Sequence, residues 1–257
     1  MKYCVLATGS RGNTTFVASS TTKILLDLGT TSMYTEKKLK EIGINPGDID
    51  AILISHTHSD HINGLRVFIK KYNPTLFLSK EMLKDLNNIF TVTNYVLIDD
   101  DFSIGDINVS IIKTSHDVSD SNGYILENNS NSLVYITDTG YINQKYEKKL
   151  SNKNVYIFES NYDTEMLMHS NKPYYLQQRI RGDKGHLSNE SSAYYLSHYI
   201  GKDTKTIILT HLSHDNNTKE CALNTLKNKF KEESIEFNNI IVSTQDERTE
   251  LLEVWLK

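Results

Sequence analysis

Short apolar runs alternate with amphipathic stretches along most of this chain, separated by glycine, asparagine and acidic residues. Residues 3–8 read as a strand closed by Gly9-Ser10-Arg11-Gly12-Asn13, a tight loop able to turn backbone N–H groups toward a ligand. Residues 14–19 and 23–28 read as a hairpin around Ser20-Thr21-Thr22. A short helix over 35–42 is stopped by Gly43, and Pro46-Gly47-Asp48 turns the chain into a strand at 51–54. Helical character over 62–71, a strand at 75–78 and a helix at 80–86 follow. Strands at 92–98 and 106–112 flank the acidic turn Asp99-Asp100-Asp101, and 123–127 with 132–137 make a second hairpin. A strand at 155–158 leads to an irregular stretch over 169–182, where Arg179 and Arg181 lie in phase on extended backbone. A helix at 191–200, a strand at 206–210, an amphipathic helix near 218–233 and strands at 239–244 and 250–256 complete the pattern.

The chemistry gathers at strand ends. Ser55-His56-Thr57-His58-Ser59-Asp60-His61 follows the apolar run 51–54, so three histidines and a carboxylate leave one strand together. His56 and His58 point to one side of an extended loop, and Asp60 opens a helix, where negative charge is favoured. Gly64 lets the backbone come close to bound metals. Imidazole and carboxylate together suit zinc, manganese or iron. The plainer reading is a solvated loop, but with only nine histidines in 257 residues chance clustering is a poor account. His116, Asp138 and His211 each close a further apolar run. His116 becomes a third histidine for one metal, and Asp138 a carboxylate bridging two. Asp27 closes the run 24–26 and can orient a ligand imidazole from behind. His169 and His198 read as structural or exposed, and His214 as a weaker ligand than His211.

Composition narrows the class without changing this picture. A chain of this length holds one large α/β domain or two small ones. Three prolines and no glycine-rich tract leave no linker, so residues 1–257 are expected to form a single domain. Cys4 and Cys221 provide no disulfide framework and fit a reducing cytoplasm as apolar filler. The uncharged run 3–10 is too short for a secretion signal or a membrane span, so no membrane partner is expected. The net charge of −4 requires any nucleic-acid contact to come from a local basic patch.

Five motifs together narrow the reading: Gly9-Ser-Arg-Gly-Asn13, His56-Thr-His-Ser-Asp-His61, Phe158-Glu-Ser-Asn161, Gly185-His-Leu-Ser-Asn189, and Thr210-His-Leu-Ser213 followed by Asn216-Asn217. The H-x-H-x-D-H stretch resembles the signature of the metallo-β-lactamase superfamily. The last two motifs make the chain similar to the WalJ/YycJ/VicX group of metallo-hydrolases, related to ribonuclease Z and the PhnP phosphodiesterases. The resemblance runs from residue 1 to about residue 245. It implies an α/β architecture of αββα type, with two facing mixed sheets and helices outside. It also implies that His56, His58 and His116 hold one divalent metal and that Asp60, His61 and His211 hold a second. Asp138 would bridge them, with a water or hydroxide between the ions. Zinc is the expected metal, with manganese or iron as alternatives.

The same resemblance assigns His186 to the scissile phosphate, with Glu159 orienting its imidazole and Asp60 orienting or deprotonating the water. Ser188, Arg179 and Arg181 are candidates for holding substrate. The plainer readings are a loop histidine before a helix and ordinary surface charge. Only 117–137 separates His116 from Asp138, which leaves no room for a tRNA-gripping arm of the ribonuclease Z kind. The expectation is a nucleic-acid phosphodiesterase, a DNA exonuclease working from the 5′ end, with RNA as an alternative substrate. Competing expectations are a small-molecule phosphodiesterase, a thioesterase or lactonase on the same scaffold, and a non-catalytic metal-holding scaffold. A homo-oligomer stays open.

Overall fold

The computed structural model describes residues 1–129 and 131–254. The chain builds β1 (Lys2–Ala7), β2 (Thr14–Ala18), β3 (Lys23–Leu26), α1 (Ser32–Glu41), β4 (Ala51–Leu53), α2 (Ser59–Ile62), α3 (Leu65–Tyr72), β5 (Thr75–Leu78), α4 (Lys80–Asn87) and β6 (Tyr95–Leu97). It continues through β7 (Phe102–Ile104), β8 (Ile107–Lys113), β9 (Asn122–Asn128), β10 (Asn131–Ile136), α5 (Glu147–Leu150), β11 (Val155–Glu159), α6 (Thr164–Met168) and α7 (Tyr174–Arg181). Then come α8 (Asn189–Tyr199), β12 (Thr206–Thr210), α9 (Lys219–Glu232), β13 (Ile240–Val242) and β14 (Leu252–Glu253).

Two seven-stranded mixed sheets result, ordered β14-β1-β2-β3-β4-β5-β6 and β13-β12-β11-β10-β9-β8-β7. In the first, β14 through β3 pair antiparallel and β3 through β6 parallel. In the second, β7 through β10 pair antiparallel and β10 through β13 parallel. Strand periodicity explains the layers. Ile24, Leu26 and Leu53 pack between the sheets with Tyr124, Leu133, Tyr135, Ile157 and Ile208. Leu25, Ile52 and Ile54 point the other way and meet Leu39, Leu65, Phe68 and Met82 of the outer helices. On the far side, Phe158, Ile207 and Leu209 meet Leu196, Leu226 and Phe230. Both faces of the inner parallel strands are buried, so they read as continuous apolar runs rather than alternations. This is the expected αββα arrangement.

Three readings need correction. Residues 174–181 are helical, not extended. Pro173 sits at the N-cap, and the amides of Leu176 and Gln177 both donate to its carbonyl at 2.9 and 3.1 Å. The helix has no fully buried residue, and its half-buried pair Leu176 and Ile180 makes only a one-turn apolar stripe to betray it. Arg179 and Arg181, two residues apart on a helix, therefore face different ways. The acidic triplet is followed by a strand the sequence reading passed over, β7, which turns at Gly105 into β8. The close approach made by Gly64 is to the loop after β3. A Cβ there would lie 2.2 Å from the Thr30 carbonyl oxygen, so this glycine lets α3 start against the loop after β3. Of the final strand reading, 252–253 is strand and 255–257 lies outside the described residues.

The buried inter-sheet layer and the exposed edge strand set up a direct comparison. Leu53→Ala should lower unfolding free energy by about 2–5 kcal/mol. Val96→Ala, on an edge strand that is solvent-exposed, should change it by about 0.5 kcal/mol or less. Urea melts of the two variants check both.

Candidate metal centre

The parallel strands of the two sheets end side by side, and the side chains that follow them share one cleft of about 410 Å³ bordered by His58, Asp60, His116, Asp138, His186 and His211. Crevices beyond the carboxyl ends of strands are the usual ligand sites of such sheets. Asp27, Asp138 and His211 follow β3, β10 and β12 in the left-handed region, at φ 58°, 51° and 55°. Each breaks its strand with a sharp change of direction at a cost of about 1–3 kcal/mol, a strain that collects at functional sites.

The donors fall into two groups. His56, His58 and His116 bring one ligand atom each to within 4.8 Å of one another. His116 Nδ1 donates to the Gly185 carbonyl at 3.1 Å, which leaves Nε2 as a free lone pair 3.1 Å from His58 Nδ1. His56 Nε2 is buried with no hydrogen-bond partner among the described residues. An orphaned buried ring nitrogen aimed at two other imidazole lone pairs fits a cation better than any neutral contact. Asp60, His61, Asp138 and His211 form the second group. Asp138 Oδ2 lies 3.1 Å from His61 Nε2 and 2.9 Å from His211 Nδ1, while Oδ1 lies 3.8 Å from His116 Nε2. One carboxylate thus faces both groups.

Support comes from behind. His61 Nδ1 lies 2.8 Å from Asp27 Oδ2, which fixes the ring with Nε2 toward the cleft. The Ser55 amide and hydroxyl each donate to Asp27 at 2.7 Å, and the Tyr135 hydroxyl donates at 2.9 Å. Glu159, fully buried, accepts from His186 Nδ1 at 2.7 Å and from the amides of Thr139 and Leu187 at 3.0 and 3.2 Å. It also lies 3.3 Å from His211 Nδ1.

These surroundings divide the charge. Burial and the neighbouring His61 hold His56 well below its ordinary pKa, and burial also lowers His58 and His116, so the first group is three neutral ligands. In the second group burial pulls His61 down, but Asp27, Asp138 and Asp60 outweigh it and hold the ring well above its ordinary value. For His211 burial is likewise outweighed, here chiefly by Asp138. The same pairs hold Asp60 and Asp138 low against the burial that would raise them.

Residues 22–212 match the profile of the beta-lactamase superfamily domain. The chain is 37% identical over 227 residues to the exodeoxyribonuclease YycJ of Bacillus anthracis, covering 86% of each protein. It is 36% identical over 236 residues to the exodeoxyribonuclease WalJ of Streptococcus pneumoniae, covering 89% of this chain and 88% of that one.

The chain belongs to the metallo-β-lactamase superfamily.

Its fold also matches the crystal structure of the metallo-β-lactamase-fold protein YhfI of Bacillus subtilis, with TM-score 0.73, 17% identity, and 96% and 98% of the two chains covered. The superfamily frame and the two donor groups together point to divalent metals at this cleft. Of the residues singled out from the sequence, the seven proposed ligands, Asp27, Glu159 and His186 come together here. Arg179 borders the cleft and pairs with Asp117 at 2.5 Å. Arg181 and Ser188 do not border it, because Ser188 caps α8 by accepting from the Ser191 amide at 3.1 Å. His169, His198 and His214 join neither group, although His214 stands at the cleft rim.

The asparagines of the superfamily-branch motifs carry a role the sequence reading missed. Asn189 and Asn217 exchange two amide hydrogen bonds of 2.9 Å, and Asn217 Nδ2 also reaches the Ser160 and Asn161 carbonyls at 2.9 and 3.1 Å. This buried pair ties the loops after β11 and β12 to the start of α8, and so holds Glu159, His186 and His211 in one frame. Asn13 does similar service beside Asp60, donating to its carboxylate at 3.3 Å and accepting from the Gly9 amide at 2.8 Å. The signal was a buried polar residue in a glycine loop, legible only once its partners are known. Gly29 is tied to the same spot, since a Cβ there would lie 1.6 Å from the Asp60 carbonyl oxygen.

Two outcomes follow from this geometry. Because His61 and His211 hold protons above the ordinary histidine range when no cation is present, metal uptake displaces protons. Apparent metal affinity should therefore rise with pH across the neutral range, and calorimetry in buffers of different ionisation enthalpy should register proton release. Asn217→Ala should destabilise the fold by about 1–3 kcal/mol by leaving the buried Asn189 Nδ2 and the Ser160 carbonyl without these partners, as measured by thermal melts of the metal-free protein.

Proposed function

We propose that this protein is a dinuclear-metal phosphodiesterase acting on nucleic acid, and that its substrate is DNA degraded from a 5′ end. The observation that carries the reading is the His186–Glu159 pair, whose imidazole borders the same cleft as members of both donor groups. The names of the YycJ and WalJ relatives, at more than a third identity over most of the chain, support DNA as the substrate class.

His56, His58 and His116 would hold one ion and Asp60, His61 and His211 the other, with Asp138 between them. The imidazole-rich donor set favours zinc, with manganese or iron as the other fitting ions. Bound there, the ions would polarise a phosphoryl oxygen and lower the pKa of water. The protein's own groups do the rest. Asp60, held in its ionised form, offers an acceptor that orients the attacking water. His186 is partly open to the cleft. Burial would lower its pKa, but the Glu159 carboxylate outweighs burial and raises it. The imidazolium then stabilises charge on the phosphate or gives its proton to the leaving oxygen. Arg179, on the cleft rim, would meet a flanking phosphate. The chain 1–257 would act as one hydrolase unit. No helix among the described residues is long and apolar enough to cross a membrane, which is compatible with the cytoplasmic setting of a DNA enzyme.

The test is metal analysis of the purified protein with timed digestion of end-labelled DNA and RNA, beside bis-p-nitrophenyl phosphate, a thioester and a lactone. DNA shortened from its 5′ end with two ions bound supports the reading, and turnover of only the thioester or lactone rejects it. His186→Ala should keep both metals and lose about 10²–10⁴ in rate. The active form of His186 is the protonated one, so the rate should fall as pH rises through its raised pKa. Glu159→Gln removes the charge that raises it and should move that falling limb to lower pH, which a pH–rate profile on the metal-loaded variant would read.

A further inference from the structure

Helix α7 lies along the rim of the cleft. Lys172, just before it, and Arg179 and Ile180 at its far end all border the opening. Its last turn is joined to the catalytic loop, because the His186 amide donates to the Ile180 carbonyl at 2.9 Å. A surface helix of this kind would be expected to be polar, yet Tyr174 and Tyr175 are each 74% exposed. Tyr175 stands one turn ahead of Arg179 on the same face of the helix, just outside the residues that border the cleft. From Asn171 to Gly185 the chain carries Lys172, Arg179, Arg181 and Lys184 against Asp183; Lys172 pairs with Asp215 at 3.0 Å and Arg179 with Asp117 at 2.5 Å, while Arg181 and Lys184 have no salt-bridge partner among the described residues.

Exposed aromatic rings set among cations beside a phosphodiesterase cleft match one kind of ligand. Duplex base pairs hide their faces within the stack, whereas an unpaired strand offers both a base face to a ring and phosphates to the cations. Resting on the phosphodiesterase reading above, we infer that α7 is the docking surface for an unpaired nucleic-acid strand. Tyr175, with Tyr174 beside it, stacks on unpaired bases, Arg179 and Lys184 take flanking phosphates, and the strand is thereby led to His186. The helix, about 12 Å long, spans only a few nucleotides. The enzyme would therefore select single-stranded or frayed ends over blunt ones.

The experiment compares the metal-loaded full-length protein with Tyr174→Ala/Tyr175→Ala and Tyr174→Phe/Tyr175→Phe. The substrates are a single-stranded oligonucleotide, a blunt duplex and bis-p-nitrophenyl phosphate. The alanine pair should raise KM for the single strand by about 5- to 150-fold, the range expected for losing one stacked base. It should leave bis-p-nitrophenyl phosphate turnover unchanged, and the phenylalanine pair should behave as wild type. An unchanged KM in the alanine pair overturns the docking surface while leaving the phosphodiesterase reading intact. An equal loss on blunt duplex overturns the selection for unpaired ends. A loss on bis-p-nitrophenyl phosphate shows that the rings act on the catalytic centre instead. A dimer that becomes monomeric in the alanine pair, with KM for the strand untouched, shows that a second copy covers the helix. Wild-type protein that cleaves bis-p-nitrophenyl phosphate but no nucleic acid overturns the function and the docking surface together.

Discussion

The Asp27 carboxyl is the point at which the two sheets and the cleft are joined. Its two oxygens accept from Ser55, twice, and lie against His61 on the first sheet's side, and accept from Tyr135 on the second. The side chain is fully buried, so each of these contacts is made away from competing water. Breaking such a buried pair costs about 3–5 kcal/mol, chiefly because the surviving charge is left without a partner. Neighbouring links repeat the pattern: the Tyr124 hydroxyl donates to the Ile54 carbonyl at 2.5 Å, the Asn122 amide to the Ser55 carbonyl at 2.9 Å, and the His211 amide to the Thr8 hydroxyl at 2.8 Å. Apolar packing holds the sheets together elsewhere, and polar bonds set their relative position at the cleft.

That arrangement accounts for the uneven electrostatics of the centre. The first donor group sits where burial prevails and its imidazoles stay neutral. The second sits where Asp27, Asp60 and Asp138 outweigh burial. A compact cluster of five histidines and two aspartates would repel itself without this division, and a bound cation would replace the protons that now balance the carboxylates. Glu159 extends the same logic one step outward, since one buried carboxylate serves His186 and lies beside His211. The two donor groups and the His186–Glu159 pair are therefore electrostatically linked.

Much of this was legible beforehand, for an identifiable reason. A strand buried on both faces must be apolar until it ends, so a histidine or acid directly after the run is conspicuous. Asp27, His56, Asp138, Glu159 and His211 stand at or just past the end of such a strand, whereas His116 follows the alternating strand β8 by three residues. The helix α7 was not legible, because it buries no residue fully and its apolar positions, Leu176 and Ile180, span a single turn. Ser188 read as a substrate contact because its motif surrounds His186, whereas its hydroxyl is used by the helix that follows. The amide pair of Asn189 and Asn217 was invisible for another reason: each asparagine is an ordinary loop residue until the other is opposite it.

The sequence by itself determined which residue types are present and most of the strands and helices in their order, because periodicity and strand-end placement are local properties of a chain, and its motifs implied the layered α/β class by resemblance. Only the tertiary structure decided which lone pairs meet, which histidines are neutral, and which arginine of the pair at 179 and 181 reaches the cleft. Those outcomes depend on distances and burial between residues far apart along the chain, and no local pattern encodes them.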